Sequence, residues 1–410
     1  MKKSGIIEQW GGKSALFFAF MHFTQDLNVG LLVALLPFIR QDLGLDYLKA
    51  GLLISANAIT SGLSQLLGGW ISDKIGPRKA ITFGLAGVGI SGAAVLMAPS
   101  FTALLVILVI MGVLAGFYHP SAVSELTNRF EDQRRGRVIA LHMLGGSLGF
   151  VIGPLLGAII ADGLNWHWAF LFLSLPSIIA APLAFMQLKS DPTPAQLKDL
   201  TVSQEKKQES ISIWQVFKSA AGIMALSIAM QLITGPIMSF IPLYMVDVRH
   251  LSASASSMWV TVIRLGGLAG SLFGGWLTDK WGRRNAIFLS LIVFGPVVFF
   301  LTKLPFGFAL AVVFILFGML LSMRETTMQT YLMVNTPPKI RATVFGIYFG
   351  FGQQGSSIIQ PVAGAYMDKV GITGVYDVIS YITLSLSLFS LVMAFEIGKR
   401  YKQWFRKKPQ

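Results

Sequence analysis

The chain contains no cysteine. Disulfides, Cys-ligated zinc and thiol nucleophiles are therefore excluded, while the compartment stays open. Charge is scarce: 13% of the 410 residues are Asp, Glu, Lys or Arg, against roughly 25% in a soluble domain. Polar stretches are almost missing. The one sizeable example, KSDPTPAQLKDLTVSQEKKQESIS over 189–212, reads as a linker. No Walker-type loop, HExxH or nucleophile motif occurs, which disfavours an ATP-driven pump and a hydrolase.

Apolar residues fill the space. They make up 54% of the chain, and the mean hydropathy is +0.65. Runs such as 15–38 and 101–122 exceed the roughly 18 residues that mark a membrane span. The first run is also too long for a signal-peptide core, so it is expected to span rather than be cleaved. Twelve spans are predicted near 15–39, 47–70, 79–98, 101–126, 137–161, 167–188, 219–245, 256–277, 285–303, 305–332, 342–367 and 373–397. The chain thus divides into 1–188, a linker at 189–212, and 213–410 with a basic tail. Most of the 33 Lys and Arg residues fall on the termini, the linker and the even-numbered loops. Both termini and the linker are therefore expected on the cytoplasmic side. The net charge of +14 is a topology signal and not a nucleic-acid footprint. The tail KRYKQWFRKKP is expected to touch anionic lipid headgroups.

One stretch occurs twice: GGWISDKIGPRKA at 68–80 and GGWLTDKWGRRNA at 274–286. Their separation is about half the chain, so two similar halves are expected. Each copy falls on the short loop joining the second and third spans of its half. Gly69 and Gly275 are expected to permit close helix approach, and Gly76 and Gly282 a tight turn. Asp73 and Asp279, at span ends, could be held by a basic partner or helix N-terminus in one state and released in another. With Arg78, Arg283 and Arg284 beside them, they form candidate gating loops. Matched copies favour that role over positive-inside loop chemistry alone.

The pattern G-x-x-x-D-[RK]-x-G-[RK]-[RK] resembles the signature of the major facilitator superfamily. GWLTDKWGRR fits it throughout, GWISDKIGPRK departs at Pro77, and WHWAF opens the sixth span. The resemblance implies an all-α integral membrane fold of twelve helices. It also implies two six-helix bundles related by a pseudo-two-fold axis, a central cavity and alternating access. GGSLGFVIGPLLG resembles the fifth-helix pattern of the superfamily's antiporters. In it Gly145, Gly149, Gly153 and Gly157 share one face and Pro154 can kink the helix; simple helix packing is the competing reading. HFTQD in the first span and GFYHP in the fourth resemble fosmidomycin-resistance-type exporters. The arginine that standard multidrug antiporters carry before the fourth-helix glycine is Leu108 here.

Ionisable residues inside spans are the strongest site candidates, because a mid-bilayer charge costs about 2.5–3.5 kcal/mol even on the mildest scale. His22 and Asp26 share one helix face and could exchange a proton near neutral pH, or form a satisfied packing pair. Aligning the halves on the repeat places His119 opposite Glu325, a second pair of proton-coupling candidates. Arg264 lies in the outer half of the eighth span with no acidic residue nearby on its own helix. It either contacts an anion or snorkels outward. Arg324, Gln231, Gln353, Gln354 and Tyr118 are further substrate candidates. Glu125 and Arg129 suit an interfacial pair, and His142 reads as structural.

These features together suit a secondary active transporter, not an enzyme, working by proton-coupled antiport to export a small organic anion or drug-like molecule. Proton-coupled uptake of a carboxylate is the alternative, and a receptor or enzyme of the same topology a distant one. No cofactor and no metal are expected. The expected partners are the substrate, protons and membrane lipid, with the chain acting as a monomer in the bacterial cytoplasmic membrane.

Overall fold

The structure, a computed structural model, describes residues 10–188, 213–336, 344, 348, 352 and 354–406. The linker, Gln353, the start of the expected span 342–367 and the side chains of the basic tail lie outside these residues. Among them, eleven helical stretches are long and apolar enough to cross a membrane. The last, Gly355–Phe395, contains the left-handed Gly371 (φ 77°) and covers the remainder of the last two expected spans. The first half contains α1 (Gly12–Val29), α2 (Leu31–Leu43), α3 (Tyr47–Ile75), α4 (Pro77–Ala94), α5 (Phe101–Ala115), α6 (Tyr118–Arg129), α7 (Asp132–Gly163) and α8 (Trp166–Gln187). The second contains α9 (Ile213–Asp247), α10 (Ala253–Trp281), α11 (Arg283–Lys303), α12 (Phe308–Asn335) and α13 (Gly355–Arg406).

Local chemistry sets several boundaries. Asp46, Ser100 and Asn165 accept backbone N–H bonds at the starts of α3, α5 and α8, satisfying donors that a helix leaves open. The repeated loops turn alike: Gly76 has φ 91° and ψ 147°, Gly282 φ 84° and ψ 147°. Pro77, the departure from the repeated pattern, occupies the first position of α4, where its missing N–H costs nothing. In the fourth span the helix breaks between α5 and α6. Pro120 cannot donate to the carbonyl of Gly116, four residues back, and a new helical segment begins at Tyr118.

Contacts group the chain into two compact units. One joins Met1–Glu209 with Ser239–Thr261 and Gln360–Gly364; the other holds Ser210–Met238, Val262–Ile359 and Ala365–Gln410. This division differs from a boundary at the linker in two segments, each tied to first-half helices. Ser257 Oγ donates to the Ala34 carbonyl, and Thr261 Oγ1 donates to the Val151 carbonyl at 3.3 Å. A Cβ at Gly364 would meet the Tyr47 carbonyl oxygen at 2.3 Å.

The glycine face of α7 is packed, face to face, on α1. A Cβ at Gly145 would lie 2.0 Å from the Ala19 carbonyl oxygen, at Gly149 2.6 Å from that of Phe23, and at Gly153 2.4 Å from that of Leu27. Gly145, Gly149 and Gly153 are therefore packing positions on α1, while a Cβ at Gly157 would meet Leu31 of α2. Gly145→Leu is expected to lower detergent-state stability by about 1–3 kcal/mol through overpacking. Gly136→Ala is the control, since a Cβ there meets nothing within 4 Å; thermal melts in which both variants match the native chain would contradict this packing. The repeated loops bring one correction. A Cβ at Gly69 or Gly275 would touch nothing within 4 Å, whereas at Gly68 it would lie 2.7 Å from the Gly116 carbonyl oxygen and at Gly274 3.1 Å from Met323. The close approaches belong to the first glycine of each pair.

Candidate functional site

The first unit contains a buried cluster of three imidazoles and one carboxylate. His22 and Asp26 lie one turn apart on α1, 3% and 4% exposed. The Nε2 of His22 is 3.1 Å from Asp26 Oδ2. The other ring nitrogen, Nδ1, is 2.8 Å from the His142 carbonyl oxygen. A carbonyl only accepts, so Nδ1 carries a proton and Nε2 is left as the basic nitrogen. A bare lone pair facing an ionised carboxylate oxygen would repel it. The His22–Asp26 contact therefore holds a proton of its own, shared between imidazole and carboxyl. His119, the second residue of α6, places Nε2 3.9 Å from Asp26 Oδ1, and its side chain is 33% exposed. It is the cluster's accessible member.

Gly146 makes this geometry possible. A Cβ there would stand 2.6 Å from both Asp26 Oδ2 and His22 Nε2. No sequence signal beyond the Gly145–Gly146 doublet points to it. Tyr118 is fully buried, with its ring 5.8 Å from that of His22 and 5.4 Å from that of His119. It belongs to this cluster and not to an open substrate wall. His142, set aside on sequence, is stacked on His22 at 4.2 Å between ring centroids. The ligand atoms of His22, Asp26 and His119 all lie within 4.8 Å of one another, close enough to hold a divalent ion, but Asp26 already has an imidazole on each oxygen.

The second unit holds a charge trio. Glu325 on α12 lies within electrostatic range of its neighbour Arg324 and of Arg264 on α10. Arg264 thus finds across the bundle the acidic group that its own helix lacks. Arg324 and Glu325 diverge, as helical neighbours must: Arg324 is buried and crosses to α9. There Nη1 donates to the Ser227 carbonyl at 2.7 Å and to Ser227 Oγ at 3.1 Å. Tyr348 closes the brace with its hydroxyl 2.7 Å from Ser227 Oγ. Arg324 is thus a helix brace more than a free substrate ligand. Gln231 packs against Gly352, and Gln354 is partly buried. The trio has one positive charge more than negative.

Among the described residues, Asp73 and Asp279 are exposed and form no ion pair. The guanidinium of Arg78 instead lies 3.8 Å over the Phe185 ring. Glu125 and Arg129 pair at 2.9 Å. A latch that the sequence did not suggest lies in the first unit, where Asp247 bonds both Arg40 and the Tyr47 hydroxyl. Arg40 also sits 4.4 Å over the Tyr47 ring. Beside it is a cavity of about 490 Å³ lined by Arg40, Leu45, Leu243 and Asp247.

A helical membrane chain with a repeated loop and buried charges in each unit is a polytopic transporter in architecture. The model of the Major Facilitator Superfamily matches residues 18–361, and the chain belongs to that family. It is 24% identical over 376 residues to the fosmidomycin resistance protein of Escherichia coli, covering 88% of each chain. It is also 24% identical over 282 residues to a phosphoglycerate transporter protein of Salmonella typhimurium, covering 62% of this chain and 60% of that one. A crystal structure of peptide transporter POT in complex with sulfate has the same fold. Its TM-score is 0.76 at 16% identity, over 97% of this chain and 96% of that one. The chain is a multi-pass membrane transporter rather than an enzyme.

Proposed function

We propose that the chain is a proton-coupled secondary transporter exchanging protons for a small organic anion by alternating access. The observation that carries this reading is the His22–Asp26 contact, which is buried and needs a proton between its two atoms. Such a proton is held away from water and is released only if its surroundings change. His119, partly exposed, gives it a way in or out. The anion is assigned to the second unit, where Arg264 and the Arg324 brace both lie within electrostatic range of one carboxylate, Glu325. A buried positive excess is stabilised by an anionic ligand. Likeness to a phosphoglycerate transporter supports an anionic substrate, and likeness to a fosmidomycin resistance protein supports export. The positive trio would equally suit uptake of a carboxylate with protons. We place the chain as a monomer in a bacterial cytoplasmic membrane with both termini cytoplasmic, in line with its Lys and Arg distribution. Stabilisation of the purified protein by organic acids and phosphonates, but not by neutral analogues, tests the substrate class. Equal stabilisation by neutral compounds would overturn it.

Alternating access also gives the Asp247 latch a role: it closes one end of the pathway. Asp247→Asn removes a charge that both Arg40 and Tyr47 contact. Hydrogen bonds to a charged group are worth about 1.5–3 kcal/mol each. Labelling of Leu45→Cys, buried beside the latch, is expected to speed up by about tenfold or more. The chain has no cysteine of its own to obscure the signal. Unchanged labelling would make the contact a static brace.

A further inference from the structure

His142 is buried, 1% exposed. Its Nδ1 is 3.0 Å from the Phe18 carbonyl oxygen, which only accepts, so Nδ1 carries a proton. Nε2 is then a lone-pair nitrogen, and it is buried with no hydrogen-bond partner among the described residues. A buried acceptor left unsatisfied is costly, and its persistence calls for a use. The ring lies parallel to that of His22, 24° between planes and 4.2 Å between centroids. Along α1 its contacts, Phe18 and His22, come two turns and one turn before Asp26. Other ionisable groups facing it are Asp26 from α1 and Tyr118 and His119 from α6. The one titratable residue of α8, His167, bonds the Ala98 carbonyl instead. On α2, Arg40 and Asp42 are engaged by Asp247 and Trp166.

From this geometry we infer that His142 is a second proton-accepting residue of the site, taking the proton on Nε2 when the His22–Asp26 contact gives it up. The inference rests on the proton-coupling reading. The transfer balances once the rings turn out of the parallel stack, because an in-plane N–H cannot reach an in-plane lone pair across it: the proton leaves the contact between His22 Nε2 and Asp26 Oδ2, and the new N–H bond forms on His142 Nε2. Asp26 is left a carboxylate, His22 a neutral ring still donating from Nδ1, and His142 an imidazolium still donating to Phe18. Two stacked imidazolium rings at this separation repel, so the stack carries one added proton at a time. His22 and His142 therefore alternate as the protonated ring.

The chain has five histidines, few enough to assign each imidazole by single substitution in ¹⁵N-histidine-labelled protein in lipid nanodiscs. In the native chain, His142 is expected to show the neutral form protonated at Nδ1, and His22 a proton at Nε2 shared with Asp26. In His22→Gln, which removes the competing ring, the His142 nitrogens are expected to reach imidazolium values about one pH unit higher or more. His119→Gln removes a more distant like-charged neighbour and should give a smaller shift of the same sign. If His22→Gln does not fold, this second variant decides. Identical His142 titration in every folded variant would overturn the inference. A native His22 without a proton at Nε2 would instead overturn the coupling reading, so the two failures are distinguishable.

Discussion

Asp26→Asn is expected to abolish transport driven by a pH gradient while leaving counterflow exchange of the solute intact. Among the described residues, the carboxylate is the one acidic partner of two imidazoles, His22 at 3.1 Å and His119 at 3.9 Å. Asparagine keeps the shape and can hydrogen-bond His22, but it cannot take up the proton or balance an imidazolium. Carrier movement without proton movement then remains, and exchange needs only carrier movement. The measurement is uptake of a solute chosen by ligand stabilisation, in proteoliposomes with and without an imposed pH gradient. The gradient-driven component should fall to background. Loss of both activities together would point to folding or solute binding instead. Glu325→Gln makes a useful comparison. Glu325 lies within electrostatic range of two arginines, so its loss should alter anion affinity rather than the pH-driven component.

Arg264→Lys is expected to weaken binding of the transported anion by about 1.5–3 kcal/mol, the range for hydrogen bonds to charged groups. Lysine keeps the charge and loses the two-pronged geometry that matches a carboxylate or phosphonate. Arg264→Gln should weaken it further. Because Arg264 also acts on Glu325, part of any loss could reflect a disturbed pair, and breaking a buried pair can cost about 3–5 kcal/mol. A neutral analogue of the solute separates the two effects. Its affinity should change little in either variant if Arg264 holds the anion. Equal losses for anion and analogue would show that Arg264 holds helices together.

Features carried by short spacing were readable in the chain. The spans followed from apolar length, and the two loops from their repetition. The His22–Asp26 and Glu125–Arg129 pairs followed from a four-residue step on a helix. Long-range partners were not readable. Asp247 meets Arg40 across 207 positions, Arg324 meets Ser227 across 97, and His22 meets the carbonyl of His142 across 120. Nothing local encodes these meetings, which depend on how one helix seats against another. The place of His142 against His22 was unreadable for the same reason. It comes from the close approach of α7 to α1, which Gly145 and Gly146 allow. The glycines of the repeated loops failed differently. Neighbouring residues on a helix point about 100° apart, and a doublet does not say which of its members faces the next helix.

Proton flux measured directly gives the most decisive test of coupling at Asp26. A pH-sensitive dye trapped inside proteoliposomes, with no imposed gradient, reports whether adding the anion outside moves protons. Coupling through the His22–Asp26 contact predicts a change in internal pH with the native chain, in step with solute movement, and none with Asp26→Asn. Solute movement by the native chain with no change in internal pH, or an undiminished pH change with Asp26→Asn, would contradict it.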